Sequence, residues 1–314
     1  MDGLYTFDLP PELIAQEPAN PRDHARLLVY NRATKEIVDA YFYDIDKYLE
    51  SGTLVVANNT KVDHCRYLFH DGKTEIFVVD AVNDRTVHAL VRPGRKFKAG
   101  ATIELEEGIT ATVLSIDQEG VRTIELSVSR SDERLVHASH VPLPPYIAQN
   151  DRLADEYQTI YAKKKGSLAA PTAGLHFTPE LQQRVAKGFG WDEVTLNVGL
   201  GTFASLQEGN FATSTLHSET YDVSEETFGH IQAAKHVTAV GTTSLRTIES
   251  ICGRSMPLHG ETDRFIMPGY SFARVDSLIT NFHLPSTSLL LLVEAFIGSR
   301  FEIERVYRHA IDKK

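Results

Sequence analysis

Cysteine is almost missing from this sequence: Cys65 and Cys252 are the only two in 314 residues, and they stand in unrelated contexts. That excludes a disulfide framework and a cysteine-rich metal centre. Thirteen histidines are present, yet none falls in an HxxxH or HExxH spacing, so no metal is expected. A GxSxG elbow is absent, and with it the usual activated serine. The longest apolar run, Leu289–Val293, is far too short to span a bilayer. The opening MDGLYTFDLPPEL lacks the basic and apolar regions of a signal peptide. These absences lead us to expect a soluble, cytoplasmic protein with no membrane association.

An excess of basic charge is also lacking. The net charge of −10 argues against a protein that coats nucleic acid non-specifically. Local basic patches exist all the same, at Arg92, Arg95, Lys96 and Lys98 and at Lys163–Lys165. A hydrophobic content of 42% and a charged content of 24% are those of an ordinary globular chain, long enough for two domains.

The patterning divides the chain. Ala25–Tyr30 reads as a strand after a short helix at Pro11–Ala15, and Thr53–Ala57 is an apolar run suited to a strand buried on both faces. From Cys65 to about His140, short Val/Ile/Thr-rich segments alternate with Asn-Asp, Pro-Gly and Glu-Gly turns, and no helical period interrupts them. That is the signature of a small antiparallel barrel or sandwich. The stiff segment Val141–Tyr146 closes it. Beyond it helices and strands alternate. A helix is expected over Asp151–Tyr161, another from Pro179 with Thr178 as N-cap, and a third from Glu225 capped by Ser224. Strands are expected at Glu193–Val198, Val237–Val240 and Arg274–Ile279, and a last helix at Ser286–Ile297 stopped by Gly298. Alternating elements of this kind argue for an α/β main domain.

Four turns rich in small and polar residues follow one another in the second half. Ala169–Thr178 carries Thr172, Gly174, His176 and Phe177; a ligand can approach its backbone, with an ionisable group at the edge. Gly199–Phe203 offers Gly199, Gly201, Thr202 and a ring, Phe203, but lacks the third glycine of a dinucleotide fingerprint. Gly241, Thr242, Thr243 and Ser244 lie between a strand and a helix, where free amides, hydroxyls and Arg246 suit an anion. Simple capping by Ser244 explains the same residues. Thr280–Pro285 supplies Asn281 and His283, an amide and an imidazole that can read a base edge or move a proton. Glu219, near His217, is a further acid–base candidate. Asn58-Asn59-Thr60-Lys61 at a strand end suits either a polar ligand or turn chemistry.

Longer stretches carry a resemblance. PTAGLHFT, VTLNVGLGTF, HSETYDV, VGTTSLRTIES, TDRFIMPGYSF and VDSLITNFHLPSTSLLLLVEAF, with FDLPPELIAQEPANPRDHARLLV, LVRPGRK and PLPPYI, are similar in order to the S-adenosylmethionine:tRNA ribosyltransferase-isomerase family of queuosine synthesis. The resemblance implies a mixed α/β, barrel-like main domain over residues 1–62 and 149–314, with a small antiparallel β-barrel inserted at 63–148. It implies transfer and isomerisation of the ribosyl moiety of S-adenosylmethionine onto 7-aminomethyl-7-deazaguanine at the tRNA wobble position. Epoxyqueuosine-tRNA would form, with release of adenine and methionine. S-adenosylmethionine is then a co-substrate, and no prosthetic group is implied. On this reading His176, His283 and Glu219 handle protons, the other turn residues named above hold substrate, and Phe203 or Phe177 stacks on a base. Arg92, Arg95, Lys96 and Lys163 would contact the tRNA.

The sequence departs from that family in KVDHCRY after Thr60, where arginine and proline are usual, and at Leu200, where alanine is usual. Family members usually continue past Ile311-Asp312-Lys313-Lys314 with an aromatic tail. The alternative reading is a tRNA-binding paralogue without turnover. A methyltransferase lacks a supporting glycine motif.

Overall fold

The structure is a computed structural model that describes residues 7–144, 146, 147, 150, 153, 156–199, 211, 213, 215–253 and 256–314. In chain order, the hairpin strands β1 (Arg26–Tyr30) and β2 (Ile37–Tyr41) precede β3 (Thr53–Asn58) and β4 (Thr60–Val62). Next come β5 (Arg66–Phe69), β6 (Thr74–Ala81), β7 (Thr86–Arg92), β8 (Thr102–Glu104), β9 (Thr110–Ile116), β10 (Arg122–Leu126), α1 (Glu133–His137) and β11 (Ser139–His140). The second half holds β12 (Lys164–Ser167), α2 (Pro179–Gly188), β13 (Trp191–Leu196), β14 (Thr215–Asp222), α3 (Glu225–Ala233) and β15 (His236–Val240). It ends with α4 (Gly241–Gly253), β16 (His259–Arg264), β17 (Ser277–Ile279), α5 (Ser288–Ile297) and α6 (Arg300–Lys313). The chain divides into two units. One holds residues 1–61, 146–148 and 156–314, and the other holds 62–145 and 149–155.

The first unit is mixed α/β. Its sheet runs β16-β14-β13-β3-β15-β17, and the four strands from β13 to β17 are parallel neighbours. β14 and β16 extend that sheet antiparallel. All six residues of β3 are buried, as its unbroken apolar run predicts. Alternate side chains enter different cores. Leu54 and Val56 join Leu245, Ile248, Ile251, Ile231 and Phe296 from α4, α3 and α5. Val55 and Ala57 join Phe42, Phe177, Leu181 and Val185. Each such buried aliphatic or aromatic side chain contributes about 1.5–3 kcal/mol.

The second unit is a seven-stranded antiparallel sheet in the order β11-β5-β6-β7-β10-β9-β8. Strand alternation puts Ile76, Val78, Val87, Ala89, Val113 and Ile124 on its buried face. The short helix α1, which the sequence reading leaves out, is capped by Asp132, whose carboxylate accepts from the Arg134 amide at 3.1 Å. Its five residues are too few for a 3.6-residue period to show.

Caps that the sequence signals are in place. Thr178 accepts from the Leu181 amide, Ser224 from the Thr227 amide, and Gly298 at φ 81° ends α5. Three expectations need correction. The helix expected at Asp151–Tyr161 is not formed over the described residues 156–161, which are turns and bends. There Arg22 donates to the carbonyls of Glu156 (2.7 Å) and Gln158 (2.8 Å). The helix expected at Pro11–Ala15 is a single 3₁₀ turn, Pro11–Leu13. The strand expected at Arg274–Ile279 is confined to Ser277–Ile279 because Glu249 takes the preceding amides.

Close packing fixes the 3₁₀ turn Thr172–His176. A Cβ added at Gly174 would overlap the Tyr161 hydroxyl and lie 2.9 Å from Thr159 Cγ2. Tyr161 is held edge-on to Trp191 at 5.2 Å and has nowhere to retreat. Gly174→Ala is therefore expected to cost about 1–3 kcal/mol through overpacking. The cost should appear as a lower urea midpoint and be partly recovered when Tyr161→Phe removes the overlapping oxygen. A variant as stable as the parent would contradict this packing.

Candidate functional site

Two of the four turns meet directly. His176 ends the 3₁₀ turn Thr172–His176, and its Nε2 lies 3.0 Å from Asn281 Nδ2 in the turn after β17. The Phe42 ring packs 5.2 Å from the imidazole. Burial, aided by the nearby Arg22 guanidinium, lowers the His176 pKa from its ordinary value. His283 stands two residues beyond Asn281. Its Nε2 is 3.1 Å from Thr280 Oγ1, and its backbone N–H donates to the Tyr307 hydroxyl at 2.9 Å. Burial pushes its imidazole down to about 4. Both rings are thus neutral at neutral pH.

The third turn adjoins the first. A Cβ added at Gly241 would come within 3.9 Å of the Ala173 Cβ. Here the expectation of a turn followed by a helix from Leu245 is corrected, because Gly241, at φ 88°, passes β15 straight into α4. Gly241, Thr242, Thr243 and Ser244 are therefore the first turn of α4. Ser244 does not cap it; the hydroxyl donates back to the Val240 carbonyl at 2.7 Å. Thr243 Oγ1 accepts from Asn58 Nδ2 at 3.1 Å. Asn58 also donates to the Leu196 carbonyl (2.9 Å) and accepts from the Leu196 and Thr60 amides (3.0 and 3.1 Å). With its side chain fully engaged, Asn58 joins β3, β13 and α4.

Of the fourth turn only Gly199 is described; Gly201, Thr202 and Phe203 lie outside the described residues. The Gly199 amide donates to Glu219 Oε1 at 3.1 Å. The other oxygen of Glu219 accepts from Arg246 Nη1 in an ion pair whose side chains are 2% and 7% exposed. Arg246 Nε donates to the Arg264 carbonyl at 3.2 Å. The sequence offers Arg246 to an anion beside the glycine turn; the structure engages it with Glu219 instead. Helical phase is the reason, since Arg246 faces β14 and β16 rather than the start of α4.

Phe177 is wholly buried, edge-on to Phe42 (5.0 Å) and Trp191 (5.2 Å), so its ring is part of the core and closed to a ligand. The open aromatic of this region is a different residue. Phe282, between Asn281 and His283, is 53% exposed. Only its place in TNFHLP, between two polar candidates, could have signalled it.

The basic residues differ in their freedom. Lys163 Nζ donates to both carboxylate oxygens of Glu193, at 2.9 and 2.7 Å. Within the second unit, Arg92 lies 3.1 Å from Glu75, whereas Arg95 and Lys96 are exposed and make no ion pair among the described residues. Among the described residues no group of three or more His, Cys, Asp or Glu is placed to hold a metal, and no helix is long and apolar enough to cross a membrane.

The parallel-centred α/β unit thus carries two neutral histidines, an amide and turns of small residues. Comparison with known proteins makes this specific. The family model described as "Queuosine biosynthesis protein" matches residues 3–314, and the chain belongs to that family. A relative from Thermosipho africanus, named S-adenosylmethionine:tRNA ribosyltransferase-isomerase, is 42% identical over 320 residues, covering 99% of this chain and 95% of the relative. One of the same name from Thermosynechococcus vestitus is 43% identical over 326 residues, covering 99% and 91%. The crystal structure of an S-adenosylmethionine tRNA ribosyltransferase from Thermotoga maritima superposes with a TM-score of 0.53. It shares 34% identity and covers 98% of this chain and 94% of that one. The curated relatives are enzymes by name.

The buried ion pair gives a direct test. Glu219→Ala strands the Arg246 guanidinium without its carboxylate, which for a buried pair costs about 3–5 kcal/mol. Urea denaturation should show that loss, and Glu219→Ala/Arg246→Met should recover much of it. Equal stability of parent and Glu219→Ala would mean that the pair is not formed.

Proposed function

We propose that this protein transfers the ribosyl moiety of S-adenosylmethionine to 7-aminomethyl-7-deazaguanine at the tRNA wobble position and isomerises it. The products are epoxyqueuosine-tRNA, adenine and methionine. The observation that carries the reading is the His176–Asn281 contact, which joins two distant polar turns in a chain related over its whole length to enzymes of that name. S-adenosylmethionine serves as co-substrate, no prosthetic group takes part, and the reaction is cytoplasmic. The second unit's antiparallel sheet would act as the inserted barrel domain, with Arg92, Arg95 and Lys96 toward tRNA phosphates.

The sulfonium acidifies the C5′ protons of S-adenosylmethionine. A base must take one of them, and an acid must assist the departure of adenine. Neutral His176 is the base, and the proton it gains is then available to the leaving adenine. Burial and Arg22 favour its neutral form, so it still accepts a proton below the usual imidazole range. His283 and Glu219 are the further acid–base candidates; the pairing of Glu219 with Arg246 favours a holding role for it. Thr172, Gly174, Thr242 and Thr243 hold the substrate together with Gly199–Phe203.

Incubation with S-adenosylmethionine and precursor-bearing tRNA should release adenine. His176→Ala should slow that release by about a hundred-fold or more. The acidic limb of kcat/KM should lie below 6.5, the ordinary imidazole value from which that of His176 is lowered. Full turnover in both His176→Ala and His283→Ala would remove the acid–base assignment. Retained tRNA binding without any adenine release by the unaltered protein would instead identify a paralogue that binds tRNA without turnover.

Charge reversal at Arg95 and Lys96 should weaken tRNA binding. It should also flatten the plot of log affinity against log salt by about 0.7–0.9 for each phosphate no longer neutralised. An unchanged slope would place the tRNA elsewhere.

A further inference from the structure

Phe282 is an aromatic ring left open to solvent in the middle of the candidate site. It follows Asn281, which bonds His176, and precedes His283. More than half of its surface is exposed, at 53%, and the ring is nevertheless held firmly. Its underside packs edge-on against Tyr307 of α6, with centroids 5.1 Å apart and planes at 88°. The Tyr307 hydroxyl in turn accepts the His283 amide at 2.9 Å, and Phe7 packs on Tyr307 at 5.3 Å. The backbone on either side is thereby fixed.

An exposed phenylalanine stabilises a fold little, because most of its apolar surface stays in water. A solvent-facing ring seated on Tyr307, in the turn that also carries Asn281 and His283, has the chemistry of a base-stacking platform. A groove of about 480 Å³ runs along α6 beside Tyr307, lined by apolar Phe7, Leu290, Ile303 and Ile311 and by the carboxylates of Asp8 and Glu304. Arg308 lies on this groove, exposed and without an ion pair among the described residues. An unpaired guanidinium on the groove that Tyr307 lines, Tyr307 being the ring on which Phe282 packs, suits a phosphate of the same strand.

We propose that Phe282 stacks on an unpaired base of the tRNA anticodon loop and that Arg308 contacts the backbone of the same strand. This rests on the tRNA-modifying reading above and adds a tRNA contact within the first unit.

The test is equilibrium binding of an anticodon stem-loop RNA and, separately, of S-adenosylmethionine, with adenine release followed in parallel. Phe282→Ala should weaken RNA binding about ten-fold or more, since stacking on one ring is worth that much. Phe282→Trp should preserve affinity, and Phe282→Leu should not. Arg308→Gln should weaken RNA binding and reduce the salt slope by about 0.7. S-adenosylmethionine affinity should not move in any of them, and thermal midpoints should stay near the parent's. Phe301→Ala, at a phenylalanine that is 71% exposed elsewhere on α6, should bind RNA normally.

The proposal falls if Phe282→Ala keeps its RNA affinity, if leucine serves as well as tryptophan, or if Phe301→Ala weakens binding equally. It also falls if S-adenosylmethionine affinity drops instead, which would assign the ring to adenine. Adenine release by the unaltered protein separates these outcomes from failure of the enzymatic reading itself.

Discussion

A single buried carboxylate and the helix that carries it set the geometry of the first unit. Glu249, fully buried on α4, accepts from the amides of Ala273 (2.7 Å), Arg274 (2.9 Å) and Val275 (2.9 Å) and from the Tyr270 hydroxyl (3.0 Å). Desolvating a carboxylate is expensive, and four donors in good geometry are what offsets it. The carboxylate draws residues 273–275 against the helix at the point where the chain turns into β17, and β17 delivers Thr280, Asn281 and His283. Three residues earlier on α4, Arg246 reaches Glu219 and through it the Gly199 amide. Three earlier again, Thr243 meets Asn58 at the end of β3. One helix with a polar inner edge thus connects three of the four turns.

This dependence explains which parts of the molecule are legible in the sequence. β3 is legible because a strand covered on both faces must be apolar throughout. The caps at Thr178 and Ser224 are legible because hydroxyl capping is local chemistry. β14 and β16 are not, since their residues, HSETYD and HGETDR among them, are polar and give no clear period. Their place is fixed by pairing partners distant in the chain. The family resemblance reaches further than the patterning does, because it compares whole stretches and needs no period.

Side-chain direction is the other thing that one-dimensional patterning does not carry. Phe177 and Phe282 each adjoin a candidate histidine, yet one ring is enclosed by Phe42 and Trp191 and the other faces water. Arg246 follows a glycine turn as a phosphate-binding arginine would, but the phase of α4 carries it to a carboxylate on β14. The histidines themselves are readable as residues of interest. Their neutrality is a property of the packed state, since it comes from desolvation.

The passage of β15 into α4 at Gly241 also bears on motion. With no loop between a central parallel strand and a helix whose residues are almost all buried, that wall of the site has no hinge. Thr242 and Thr243 therefore stand on a fixed wall. The segments Thr172–His176 and Thr280–Pro285 are joined to each other through the His176–Asn281 contact, so a shift in one is carried to the other.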